Sequence, residues 1–136
     1  YRAVDKEGKT IDFLLIKNRD KLAAKRFLIK AIDNNGVPEK ITIDGSAANK
    51  SALEEYNNEN NTSIEIRQVK YLNNIVEQDH RGIKRITNAM LGFKSFDSAS
   101  ITLNGIEIVH TLRKEQLATL DISVQSLAKT FYSLAA

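Results

Sequence analysis

The sequence predicts an α/β domain, a mixed sheet flanked by helices, and three observations carry that reading. Residues 1–4 and 10–15 are short apolar runs joined by Asp5-Lys-Glu-Gly8-Lys9, a loop with a turn-favouring aspartate and a glycine available for positive φ, which predicts a hairpin. Beyond residue 20, segments with apolar residues every three or four positions alternate with short β-prone runs. Strands separated by helices pair in parallel through right-handed crossovers. The 136 residues, 42% of them hydrophobic, suffice for one core and are too few for two ordinary domains.

The elements follow in order. From Asp20 to about Asp33, Ala24, Phe27, Leu28, Ala31 and Ile32 make the buried stripe of a helix, with Arg19, Arg26 and Lys30 outward. Asn34-Asn-Gly-Val-Pro38 stops it. Lys40-Ile-Thr-Ile43 reads as a strand running into Asp44-Gly-Ser46, and Ser46 is placed to cap a helix from Ala47 to about Asn57. After a polar loop, Ile64-Glu-Ile-Arg-Gln68 alternates as a strand, and the next helix opens near Tyr71. A helix from about Asp97 to Lys114 is expected to bury Ile101, Ile106, Val109 and Leu112, with Gly105 as its weak point. A last helix, Ser123 to Leu134, carries Val124, Leu127, Phe131 and Leu134 as a packing stripe.

Composition excludes several classes of function. Cysteine is absent, which removes disulfides and thiolate zinc sites, and the two histidines, His80 and His110, are too far apart in sequence for a local metal pair. A metal here would be held by carboxylates, which favours a hard ion such as magnesium. No run of about 18 apolar residues or charged-then-apolar leader is seen, so a cytoplasmic protein without a membrane span is expected. The net charge is only +3, but Lys17, Arg19, Lys21, Lys25, Arg26 and Lys30 stand against Asp20 alone in residues 17–30. Such a surface tolerates a polyanion without proving one.

The segment from Tyr71 to Arg85 concentrates chemistry. At helical spacing Leu72, Val76, Ile83, Ile86 and Met90 share one side, while Asn73, Glu77, His80, Arg81 and Lys84 share another. Glu77 is thus a carboxylate able to hold a cation beside bases able to hold phosphate. The plainer reading is a solvated helix with a Glu77–Arg81 pair worth about 0.2–0.5 kcal/mol. A partner acid is Asp44, at the carboxyl end of its strand, where ligands of open α/β sheets collect. Two acids meeting there would repel each other unless a divalent cation lay between them. Asp44 read alone is equally a turn residue before Gly45.

These residues carry a resemblance. Ile43-Asp-Gly45, Tyr71-Leu-Asn-Asn-Ile-Val-Glu-Gln-Asp-His-Arg81, Met90-Leu-Gly-Phe-Lys-Ser-Phe96, Gly105-Ile-Glu107 with Leu112-Arg-Lys114, and Tyr1-Arg-Ala-Val-Asp5 followed by Thr10-Ile-Asp-Phe13 resemble the catalytic, integrase-core domain of bacterial DDE transposases of the insertion-sequence "six" family. The resemblance implies a ribonuclease-H-like fold, with residues 1–96 as a partial core and 97–136 as C-terminal helices packed on it in the same domain. It implies three carboxylates holding two magnesium or manganese ions, Asp44 matching the second and Glu77 the third. Asn73, His80, Arg81, Lys84 and Arg85 would then meet DNA, and the active complex would be a homo-oligomer. Family members carry the first catalytic Asp on a strand before the position of Tyr1, so a chain lacking that strand is expected, with an incomplete metal site. Asp5, as a turn residue, and Asp12, on the hairpin's solvated face, do not replace it. The alternative is an inactive remnant that binds nucleic acid or sister chains.

Overall fold

In the computed structural model, which describes residues 1–116 and 126–134, β1 (Arg2–Val4) and β2 (Thr10–Phe13) pair antiparallel with Ala3 opposite Asp12. Asp5 closes the turn between them. Its Oδ1 accepts from the amides of Glu7 (2.9 Å) and Lys9 (2.8 Å), and Gly8 takes a φ of 81°. This local bonding is what makes aspartate a turn former. Asp12 departs from the expected solvated face: it is buried, and its Oδ1 accepts from the Phe13 amide and the Lys30 ammonium, both at 2.7 Å. The cause is tertiary, since α1 (Lys21–Asn35) packs over β2 and brings Lys30 down to the carboxylate.

Asp20 starts α1 by accepting from the Ala23 amide at 2.7 Å, and Gly36 ends it at φ 86°. Ala23, Ala24, Ala31 and Ile32 are its buried face, close to the predicted stripe. After β3 (Lys40–Thr42), Ser46 caps α2 (Ala47–Asn60) as expected. Ile32, Tyr56 and Ile64 form a core cluster against which Leu28 and Ile41 pack. Asn57 fixes the corner that delivers Ile64: its Oδ1 accepts from the Thr62 hydroxyl (2.8 Å) and the Ile64 amide (3.1 Å), and its Nδ2 donates to the Ile64 carbonyl (3.0 Å).

β3 pairs in parallel with β4 (Glu65–Arg67), Ile41 opposite Ile66. The senses of pairing are those expected, but among the described residues the strands form two separate two-stranded ladders, and not one sheet. Each strand therefore has one edge without a strand partner. A 3-10 turn (Lys70–Asn73) leads into α3 (Asn74–Ala89).

The chain divides into two compact units, Tyr1–Gly82 and Ile83–Ala136, with the division inside α3. In the second, α4 (Phe96–Arg113) begins with a reciprocal cap in which Ser95 Oγ accepts from the Ser98 amide and Ser98 Oγ from the Ser95 amide, each at 3.1 Å. Leu112 is buried as expected, whereas Ile101 is 74% exposed. α4 is apolar on two sides: Ile101 and Ile108 lie opposite the face running through Ala99, Leu103 and Ile106, and Leu112, one turn beyond Ile108 on their side, is buried. α5 (Leu127–Leu134) packs on α4, with Phe131 set edge-on to Tyr132 and largely open to solvent. Val124 lies outside the described residues. No described helix is long and apolar enough to cross a membrane.

Candidate metal and nucleic-acid site

Asp44 follows β3 after Ile43, whose amide extends the ladder to the Arg67 carbonyl at 2.9 Å. The carboxylate is exposed, and its Oδ1 accepts from the Ser46 amide (3.1 Å) and from Asn49 Nδ2 (3.0 Å). Asp44 thus is the turn residue of the plainer reading, and its Oδ2 still makes no hydrogen bond within the described residues. Asn49 went unnoticed in the sequence, where it is one polar residue in a helix. Its signal was the spacing Asp44-x-Ser46-x-x-Asn49 across a helix start.

Glu77 lies in the first turn of α3, is exposed, and among the described residues makes no ion pair, Arg81 included. The expected pair with Arg81 is therefore not formed. Because β3 and β4 are parallel neighbours, Asp44 and the chain leading to α3 leave the same end of that ladder. Both acids belong to the first unit. Two exposed carboxylates with uncommitted oxygens are hard donors of the kind magnesium or manganese takes. No group of three or more metal-type side chains gathers among the described residues.

Asn73 is half-buried in the 3-10 turn and His80 half-buried on α3, while Arg81 is exposed. Lys84 and Arg85 are exposed on the part of α3 that belongs to the second unit.

The basic stretch of residues 17–30 is less available than its charge count implies. Lys21 pairs with Glu55, and Lys25 reaches both Glu55 and Glu59 of α2 at 2.7 Å. Lys30 is held at 2.7 Å by Asp12, which leaves Arg19 and Arg26 as exposed guanidiniums. The Lys21 and Lys25 ammoniums push the Glu55 carboxyl down to about 2.

One interaction at the site was invisible in the sequence reading. Arg2 of β1 pairs with Asp79 of α3, and their side chains are only 2% and 5% exposed. Asp79 falls between Val76 and Ile83 on the apolar stripe of α3, which was the available signal.

A family described as a DDE domain (DDE_Tnp_IS240) matches residues 1–116. The transposase for insertion sequence-like element IS431mec of Staphylococcus aureus strains Mu50 and N315 is 37% identical over 124 residues, 90% of this chain and 54% of that protein. The Staphylococcus aureus transposase for insertion sequence element IS257 in transposon Tn4003 matches to the same extent. The chain therefore spans about half the length of the curated relatives it matches. No solved structure matches it. With the family match covering the hairpin, both candidate carboxylates and α3 to α4, the chain belongs to the DDE transposase domains of the insertion-sequence "six" family.

Proposed function

We propose that this chain is the catalytic part of a DNA transposase of ribonuclease-H-like fold, which cuts transposon ends and joins them to target DNA. The observation that carries the proposal is the placement of Asp44 and Glu77. Both are exposed acids with uncommitted oxygens, reached from the same end of one parallel strand pair. Asp44 and Glu77 would hold magnesium or manganese, whose chemistry is to activate a water or a 3′-hydroxyl on one side of a phosphodiester and to stabilise the departing oxygen on the other. Asn49 keeps the Asp44 carboxylate oriented. Arg81, Lys84 and Arg85 would each meet backbone phosphates, and Asn73 and His80 would also contact DNA, so that binding positions DNA without reading its sequence. The active complex is a homo-oligomer.

The third carboxylate comes from a strand preceding β1 in the family arrangement. Placed between β1 and β3, such a strand would fill one open edge of each ladder and join them into one mixed sheet. Unpaired buried backbone groups cost about 1–3 kcal/mol each, so filling the gap stabilises as well as completes the site. The test compares the 136-residue chain with one extended by an Asp-bearing strand, by thermal melt and by joining of transposon-end DNA with magnesium or manganese. The extended chain should melt higher and join DNA, and Glu77→Gln should abolish joining. Equal joining by Glu77→Gln would remove Glu77 from the reaction, and equal melting of the short chain as a cooperative monomer would remove the gap.

The alternative reading is an inactive remnant that binds nucleic acid or sister chains. An extended chain that binds DNA but never joins it would support that reading.

A further inference from the structure

We infer that the buried Arg2–Asp79 ion pair is a positioning device: it sets the rotation of α3 about its axis and so the direction in which Glu77 is presented. This rests on the proposed role of Glu77. Arg2 Nη1 donates both to Asp79 and, at 3.3 Å, to the Thr10 hydroxyl, so the guanidinium is tied to both strands of the hairpin before it reaches α3. The hairpin tip also comes near the helix one turn earlier. A Cβ placed on Gly8, at the hairpin tip, would sit 3.7 Å from Ile75 Cγ2. Asp79 therefore anchors α3 to the hairpin, with Ile75 lying near the hairpin tip one turn before it.

Residues two apart are turned by about 200° around a helix, so fixing Asp79 inward forces Glu77 outward on the opposite face. Sliding α3 by one turn would move Glu77 by about 5.4 Å, far outside what metal coordination tolerates. Stability alone does not explain the choice of residues. A buried ion pair is often no more stable than an apolar pair of similar volume, and often less, because desolvation offsets the attraction. What it adds is geometry, since the planar guanidinium donates to a carboxylate in few orientations, whereas apolar side chains slide.

The experiment separates position from stability. In the 136-residue chain, Arg2→Met/Asp79→Leu is compared with the unmodified protein by thermal melt, by Mn2+ titration and by a distance between two spin labels. The chain has no cysteine, so Glu77→Cys and Asn58→Cys, both at exposed positions of the first unit, take the labels specifically. The double variant should melt within a few degrees of the unmodified chain, or above it. Its label-to-label distance should shift or broaden, and its Mn2+ affinity should fall about tenfold to a hundredfold, the range for lost support of metal ligands. If the double variant does not fold, Arg2→Lys, which keeps the charge and loses the fork, takes its place with the same expectations. An unchanged narrow distance in a folded variant overturns the inference. A changed distance, with Mn2+ affinity insensitive to Glu77→Gln, keeps the positioning role and overturns the metal assignment of Glu77.

Discussion

α1 and α3 are both basic helices, and in the sequence they are alike. In the structure they differ in where the charge goes. Lys21, Lys25 and Lys30 of α1 are each matched by an acid from α2 or β2, so these three staple the helix to its neighbours while Arg26 remains exposed. On α3, Arg81, Lys84 and Arg85 are exposed and have no ion-pair partner among the described residues, while Asp79 is buried in its pair with Arg2. A count of lysines and arginines does not locate a nucleic-acid surface; the uncommitted ones do.

The buried Arg2–Asp79 pair should show the largest effect. Arg2→Ala leaves the Asp79 carboxylate buried without its guanidinium, and a loss of about 3–5 kcal/mol is expected in chemical denaturation. Lys25→Ala, in the partly exposed network of α1, should cost less, because solvent reaches Glu55 and Glu59 and screens the charges. Equal losses would mean that burial does not distinguish the two helices. The next contrast is in DNA affinity, read by fluorescence anisotropy against salt. Arg81→Ala/Lys84→Ala/Arg85→Ala should flatten the slope of log affinity by about 0.9 per phosphate contact removed, whereas Lys21→Ala/Lys25→Ala should leave it unchanged. A salt-independent affinity would sink the phosphate-driven reading altogether.

The smallest effect is the pH response of the α1–α2 staple. Hydrogen bonds from Lys21 and then Lys25 hold Glu55 at about 2, down from 4.5, and hydrogen bonds from Glu55 and Glu59 raise Lys25 above 10.5. The Glu55 contribution is therefore present above pH 4.5 and is lost as pH falls towards 2. The Lys25 contribution is complete below pH 10.5 and is lost as pH rises past its raised value. Melting temperatures across the neutral range should show no step from this network, and Glu55→Gln should remove the acid-side decline it contributes.

Local features were legible. The hairpin turn at Asp5, the caps at Asp20 and Ser46, the stop at Gly36 and the stripe of α1 depend on residues within a turn of one another, and each forms as the spacing predicts. What failed depends on partners far along the chain. Asp12 alternates like a solvated strand residue, yet Lys30 meets it from α1. Ile101 is as apolar as Ile106, and only packing decides which side of α4 is covered. The candidate acids were legible through the motifs around them. Asn49 and the Arg2–Asp79 pair were not, because a hydrogen bond between residues 77 positions apart leaves no local pattern.

The turn at Asp44 has a consequence for how a cation would be gathered. Asp44 is already ordered by Ser46 and Asn49, so its rotamer freedom is spent in folding. Glu77 has no such restraint, and fixing a side chain of that kind on binding costs about 0.5–1.5 kcal/mol of conformational entropy. In the proposed site Asp44 would offer a cation a carboxylate already held in place, whereas Glu77 would have to be fixed on binding, its reach set by how firmly α3 is held beneath it.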